Sequence, residues 1–288
     1  IFMTALWRRL KPEQAKHIVA TERAYLEIDL NNLEHNVSVL KKAIPKDCEL
    51  MAVVKAEAYG HGTYEIATHI NKIGVKAFAV ATIDEGITLR KYGITGEILI
   101  LGYTAPERAK ELCKYNLIQT LIDYEYSIRL NNQGYKVNAH IKIDTGMHRL
   151  GFDKEDVESI ATVFSLKNIK VCGIYTHLCA SDSINEKDVS FTNMQIESFY
   201  KLLRLIKEKG IAIPKIHIQS SYGFLNYPEL KCNYVRTGVA LYGVLSSPND
   251  KVKLQLDLRP VLSLKARVIL LRQIKTGDCV GYSRSFVA

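Results

Sequence analysis
Leu50–Gly62 reads LMAVVKAEAYGHG: five apolar residues, a lysine, then a tyrosine set among alanines and glycines. An apolar run without polar alternation is the mark of a strand buried on both faces, as in a parallel sheet. Gly60 and Gly62 behind it permit close approach of the backbone to another group. Outward from this stretch, runs of the same kind recur at Ala77–Ala81, Ile98–Leu101, Gln119–Ile122, His140–Ile143, Val171–Tyr175, Lys215–Gln219 and Tyr234–Tyr242. Amphipathic segments lie between them, among them Tyr64–Ile73, Ala105–Tyr115, Lys154–Phe164 and Asn193–Lys209, the last stopped by Gly210. Eight such alternations over roughly 200 residues predict an α/β fold, a (β/α)8 TIM barrel. A doubly wound open sheet is the alternative, but no GxGxxG follows the first strand.

The flanks differ. Ala24–Leu30 alternates like a half-exposed strand, and Asn31 or Asn32 can cap a helix over Leu33–Ala43. Val261–Ile274 and Val280–Val287 read as strands without helices between them, the start of an all-β domain that the chain does not finish. The expected organisation is a leader over 1–22, a barrel over 23–250 and an unfinished β-domain over 251–288. Ile1–Trp7 is apolar and is followed by Arg8, Arg9 and Lys11. It is too short to span a bilayer, so it is either a docked leader or the end of a membrane segment with an interfacial tryptophan.

Composition narrows the function. The chain has 288 residues, 47% hydrophobic and 24% charged, with a net charge of +9. That charge is spread along the chain without a basic block, which argues against a nucleic-acid partner. The six cysteines form no CxxC pair and read as reduced core thiols. Cys179 lies near His177, but without a second pair of ligands no metal site is expected.

In barrels the chemistry gathers at the C-terminal ends of the strands. Those ends carry Lys55 and Tyr59; Lys142, Asp144 and Arg149; His177; Ser220 and Ser221; and Arg236, Gly238 and Val239. Each has a bland alternative. Lys55 can snorkel to solvent, Ser220–Ser221 can be a turn, and His177 and His217 can be hydrogen-bonded core residues. Lys142, Asp144 and Arg149 can be a structural ion-pair cluster. A lysine at an apolar mouth suits amine or imine chemistry, and hydroxyls with backbone N–H groups after the seventh and eighth strands suit a phosphate. Their clustering at one rim is what points to an enzyme.

The stretches VVKAEAYGHG (Val53–Gly62), HIKIDTGMHRLGF (His140–Phe152), IYTHLCASD (Ile174–Asp182) and VRTGVALYG (Val235–Gly243) together resemble the alanine racemase family, in order and spacing, from about Arg23 onward. The resemblance implies a pyridoxal 5'-phosphate (PLP) barrel followed by a β-domain, working as a homodimer with shared active sites. It makes Lys55 the Schiff-base lysine and one catalytic base. Tyr59, Ser221, Gly238 and Val239 would hold the phosphate, Arg236 would face the pyridine nitrogen, and His177 would lie against the ring. Lys142 matches a lysine that is often carbamylated in the family and that positions the arginine matching Arg149, a substrate-binding residue. Tyr282, in VGYSRSF, matches the second base, given to the neighbouring subunit.

Racemisation needs a base on each face of the α-carbon, hence two. Tyrosine ordinarily titrates near about 10, so a positive network of His177 with Arg236 is expected to favour its phenolate. Glu57 and Ser220 stand where the family commonly has Asn, and Thr237 where it has Pro, which marks a divergent branch. The leader resembles the linker of the membrane-anchored serine/alanine racemases of vancomycin resistance. That branch implies interconversion of L- and D-serine, and of alanine, for cell-wall precursors at the cytoplasmic face of the membrane, this portion being soluble and the membrane touched only through a preceding segment. The rival readings are an ordinary cytosolic alanine racemase and a PLP-binding barrel without turnover.

Overall fold
In the computed structural model, residues 21–247 and 249–288 are described; the leader reading of Ile1–Lys16 falls outside them. The chain forms two compact units, one over Ile28–Val261 and one joining the described part of Ile1–Glu27 with Leu262–Ala288.

After β1 (Ala24–Ile28), the larger unit contains eight parallel strands: β2 (Glu49–Val53), β3 (Ala77–Val80), β4 (Glu97–Ile100), β5 (Ile118–Leu121), β6 (Val137–Asp144), β8 (Ile169–Tyr175), β9 (Lys215–His217) and β10 (Tyr234–Thr237). A two-residue β7 (Phe152–Asp153) pairs with β6. Hydrogen-bonded neighbours run β10–β2–β3–β4–β5–β6–β8–β9. The ring closes where Asn233 N donates to Ile216 O at 2.7 Å and Arg236 N donates to Gln219 O at 3.1 Å. This is the expected (β/α)8 barrel.

Helices α1 (Leu30–Ala43), α2 (Thr63–Lys72), α3 (Ile83–Lys91), α4 (Ala109–Lys114), α5 (Tyr124–Asn131), α6 (Val157–Val163), α7 (Glu186–Glu208) and α8 (Ser221–Asn226) occupy the connections. Strand alternation explains the unbroken apolar runs. Met51, Val53, Ala77 and Ala79 pack with Leu99 and Tyr234 in one cluster, the barrel interior. Leu50, Ala52, Phe78 and Val80 join the helices in the outer core. Because side chains alternate with period two, Lys55 continues the interior row of Met51 and Val53. By the same rule His140, Lys142, Tyr175, His217, Tyr234 and Arg236 point inward.

Several sequence boundaries shift. The cap of α1 is Asp29, whose carboxylate accepts from Asn31 N at 2.9 Å and Asn32 N at 3.0 Å; a charged acceptor just upstream displaces the expected asparagine caps. The eighth strand ends at Thr237, and Val239–Tyr242 is a 3-10 turn. Backbone rotation at Gly238 (φ −107°, ψ −97°) turns the chain out of the sheet. α7 begins at Glu186, a full two turns before the expected start.

In the smaller unit β1 pairs with β11 (Leu262–Ala266), and Lys265 Nζ meets the Glu27 carboxylate at 2.8 Å. Two short strands, β12 (Cys279–Val280) and β13 (Phe286–Val287), pair antiparallel around a turn at Tyr282–Arg284. The predicted continuous strands are thus shorter: residues 267–274 have no regular structure despite their apolar side chains.

Candidate active site
The inward rows open at the C-terminal rim into a cavity of about 280 Å³. Its lining includes Lys55, Tyr59, Lys142, Arg149, His177, Ser220, Ser221, Arg236, Gly238 and Val239, so the rim residues singled out from the sequence come together in space. Val53, Leu101, Tyr175, Tyr222 and Ser246 complete it. Every lining residue belongs to the larger unit. Tyr282 belongs to the smaller one, where its side chain is 99% exposed.

Lys55 lies two residues past the end of β2, and the chain then makes a left-handed turn. Ala56, Glu57, Ala58 and Tyr59 all have φ between 52° and 56°. Each non-glycine residue in this region costs on the order of 1–2 kcal/mol, so the turn persists only because its surroundings hold it. The Glu85 carboxylate accepts from Ala56 N at 2.7 Å and, through its other oxygen, from Ala81 N at 2.6 Å. His61 Nδ1–H donates to Ala58 O at 2.9 Å, and its ring stacks on Tyr242 at 4.3 Å. Tyr242 in turn donates to Val53 O at 3.0 Å. Glu57 accepts from Thr63 N at 3.3 Å, so the departure from Asn serves the start of α2. Sequence gave no signal of this turn beyond Gly60 and Gly62, because positive φ leaves no mark in alanine or glutamate.

The turn delivers the Tyr59 hydroxyl to Gly238. A Cβ placed on Gly238 would lie 2.5 Å from that oxygen, so only glycine leaves the tyrosine in place. Ser221 Oγ accepts from Gly238 N at 3.0 Å and Ala240 N at 3.2 Å. Burial raises the Tyr59 pKa and keeps it a neutral donor. Two hydroxyls, of Tyr59 and Ser221, thus meet beside the Gly238–Val239 backbone, with the Gly238 N–H already given to Ser221 Oγ.

Arg236 is buried and donates to His217 Nδ1 at 2.8 Å, Thr176 O at 2.8 Å and His177 Nδ1 at 3.3 Å. Its guanidinium lies over the Tyr175 ring, 5.1 Å from the centroid. Burial lowers its pKa to about 10, which leaves it protonated at neutral pH. An arginine only donates, so both histidines accept at Nδ1 and carry their proton on Nε2. His217 then donates from Nε2 to His140 Nδ1 at 2.9 Å. Burial, reinforced by Arg236, holds His217 well below its usual range and His140 at about 4.

His177 is held at about 3, by burial first and then by Arg236, Lys142, Arg149 and Lys55. The expected positive pair of His177 with Arg236 is therefore corrected: the histidine is neutral and the charge is the arginine's alone. Lys142 is 5% exposed and is pushed down to about 8 by burial, then by Arg149 and Arg236, with Asp144 opposing. Asp144 gives its carboxylate to Gly146 N at 2.9 Å and His148 N at 3.1 Å instead. The lining thus carries four cationic side chains and no carboxylate.

Residues 28–246 match the family described as "Alanine racemase, N-terminal domain". An "Amino-acid racemase" of Enterococcus faecalis is 63% identical over all 288 residues of this chain, which cover 40% of that protein. A "Serine/alanine racemase" of Enterococcus gallinarum is 40% identical over 273 residues, 95% of this chain and 39% of that one. The chain therefore spans about two-fifths of the length of these relatives. The solved structure of an alanine racemase from Clostridium difficile 630 superposes with a TM-score of 0.82 at 32% identity, over 93% of this chain and 70% of that one.

Proposed function
The chain belongs to the alanine racemase family, whose cofactor is pyridoxal 5'-phosphate, and from that premise we propose that it is the cofactor-binding barrel of an amino-acid racemase acting on serine and alanine. The observation that carries this reading is the acid-free cavity with four cationic side chains. Two of the four, Lys142 and Arg236, are buried; buried cations without carboxylates call for an anionic ligand, and a phosphate ester with a substrate carboxylate supplies two anions. The hydroxyls of Tyr59 and Ser221 beside the Gly238–Val239 backbone fit the phosphate, and a guanidinium that only donates fits an acceptor nitrogen.

Lys55 would tether the cofactor through Nζ, and His177 would lie against its ring. Bound there, pyridoxal phosphate supplies an electron sink that acidifies the α-proton of an attached amino acid. Lys55 Nζ would take or return that proton on one face. Arg236 would face the cofactor's acceptor nitrogen and, keeping its own proton, would pass no full positive charge to it. Its fixed bonds to His217 and Thr176 hold it in that orientation. Arg149 would bind the substrate carboxylate. Lys142, with more neutral amine than an ordinary lysine, would accept CO2 as a carbamate and, once anionic, orient Arg149.

Tyr282 of a partner chain would be the base on the opposite face, in a homodimer with shared sites; its full exposure leaves it available for that role. Mixing Lys55→Ala and Tyr282→Phe full-length proteins should then restore activity, since a mixed dimer holds one intact site. The serine/alanine choice draws support from the name of the Enterococcus gallinarum relative. A place in vancomycin resistance, supplying D-amino acids to cell-wall precursors from a membrane-anchored parent protein, extends the same reading; among the described residues no helix is long and apolar enough to cross a membrane.

The deciding experiment is borohydride reduction of the cofactor-loaded full-length protein, followed by peptide mapping and an assay of L- to D-serine and L- to D-alanine conversion. A pyridoxyl adduct on Lys55 with turnover is expected. An adduct on another lysine refutes the site, and binding without turnover returns the barrel to a cofactor-binding role.

A further inference from the structure
At the opposite end of the barrel, two cysteines meet that are 184 residues apart in sequence. Cys48 immediately precedes β2 and Cys232 lies two residues before β10. The neighbouring backbones are pinned together there: Glu49 N donates to Asn233 O at 2.8 Å, and Glu49 pairs with Tyr234 in parallel register. This holds the two Sγ atoms 3.6 Å apart, both only partly buried. A disulfide needs about 2.05 Å, a closure of the size that side-chain torsions supply without moving the strands.

We infer that Cys48 and Cys232 are a redox-active pair that closes to a reversible disulfide, stapling β2 to β10 at the barrel's N-terminal end. The Cys48 thiol hydrogen bonds to Cys232 and lowers the pKa of its partner, while its own is raised by that bond and by burial. Whichever cysteine ionises first is the attacking thiolate, and the other resolves it. With a peroxide as oxidant, its sulfur attacks one peroxide oxygen, the O–O bond breaks, and the second oxygen leaves as hydroxide, which takes up a proton. The resulting sulfenic acid is attacked by the sulfur of the other cysteine. An S–S bond forms, the S–O bond breaks, and the hydroxyl leaves with that second thiol's proton as water. Two thiols are oxidised, one peroxide is reduced, and two waters are released. The staple also removes the bond from Cys232 Sγ to Gln219 Oε1, 3.0 Å, beside the seam that closes the barrel.

The test is hydrogen peroxide treatment of the reduced full-length protein, then alkylation and a non-reducing peptide map. A crosslink between the Cys48 and Cys232 peptides is expected, lighter by about 2 Da for the two hydrogens lost and reversed by dithiothreitol. The oxidised protein should unfold at higher urea than the reduced one. In Cys48→Ser and in Cys232→Ser, dimedone should label the remaining cysteine of the pair. Full alkylation of both thiols after oxidation, or a crosslink to another cysteine, overturns the inference. The peptide map of the unmutated protein decides the crosslink even if a variant fails to fold.

Discussion

The two ends of the barrel treat charge in opposite ways. At the N-terminal end Glu97, Lys215 and Tyr234 sit at the starts of β4, β9 and β10 and satisfy one another: Lys215 Nζ is 2.9 Å from Glu97, and Tyr234 donates to the same carboxylate. At the C-terminal rim Lys55, Lys142, Arg149 and Arg236 converge without a carboxylate, and a strained turn follows Lys55. The first arrangement is complete by itself. The second is complete only with an anion, which is why the site is assigned to that end. Variants at the two ends should therefore separate stability from activity.

The largest effect is expected from Lys55→Ala. It removes the proposed tether and base, so kcat should fall by at least about 10³-fold. The melting temperature of the cofactor-free protein should not fall, since the lysine makes no ion pair there among the described residues. Equal losses of stability and activity would erase the distinction between the ends. Gly238→Ala comes next. Its methyl would displace the Tyr59 hydroxyl, and cofactor affinity should drop about tenfold, or 1.4 kcal/mol. Titration with pyridoxal phosphate followed by absorbance measures this, and kcat at saturating cofactor should hardly change.

Lys142 gives a pH-dependent test. Its folded pKa, about 8, lies below the ordinary lysine value. The cost of burying its charge is thus fully present below about 8 and is relieved as pH rises toward the unfolded value near 10.4. In CO2-free buffer Lys142→Met should therefore stabilise the cofactor-free protein at pH 7, by about 1–3 kcal/mol, with the gain vanishing by about pH 10.5. Urea titrations at both pH values check the sign. If the amine is carbamylated in use, added bicarbonate should raise wild-type activity several-fold and leave Lys142→Met unchanged.

Much of this was legible in the sequence for one physical reason. Strands buried on both faces must be apolar throughout, so LMAVV and its counterparts stand out, and a charged residue just after one stands out more. Lys55 was visible that way, and Lys142 and Arg236 as charges inside such runs. The left-handed turn was not, because Ala56–Tyr59 have no composition that betrays positive φ, and the Glu85 carboxylate that holds Ala56 is 29 residues away. Neither was the neutrality of His177, which follows from four cations gathered only by folding. Cys48 and Cys232 read as separate filler until barrel closure put them side by side.

The smallest expected effect is also the sharpest on the comparison. In Glu97, burial works against the charge, but hydrogen bonds from Tyr234 and Lys215 outweigh it, so the folded pKa lies below the ordinary value. Its contribution is complete above the unfolded pKa, near about 4.3, and is lost as pH falls through the folded value. Glu97→Gln keeps an acceptor and removes the ion pair. With the carboxylate 38% exposed, the loss at pH 7 should be only about 1 kcal/mol, shrinking as the wild type is acidified. Activity should stay within about twofold, because His140, the nearest member of the Arg236–His217–His140 chain, is already neutral, at about 4. Urea unfolding at pH 7 and pH 3, with kcat measured alongside, tests both halves. If kcat instead falls tenfold or more with stability unchanged, charge at the closed end reaches the rim through the histidines, and the two ends form one electrostatic system.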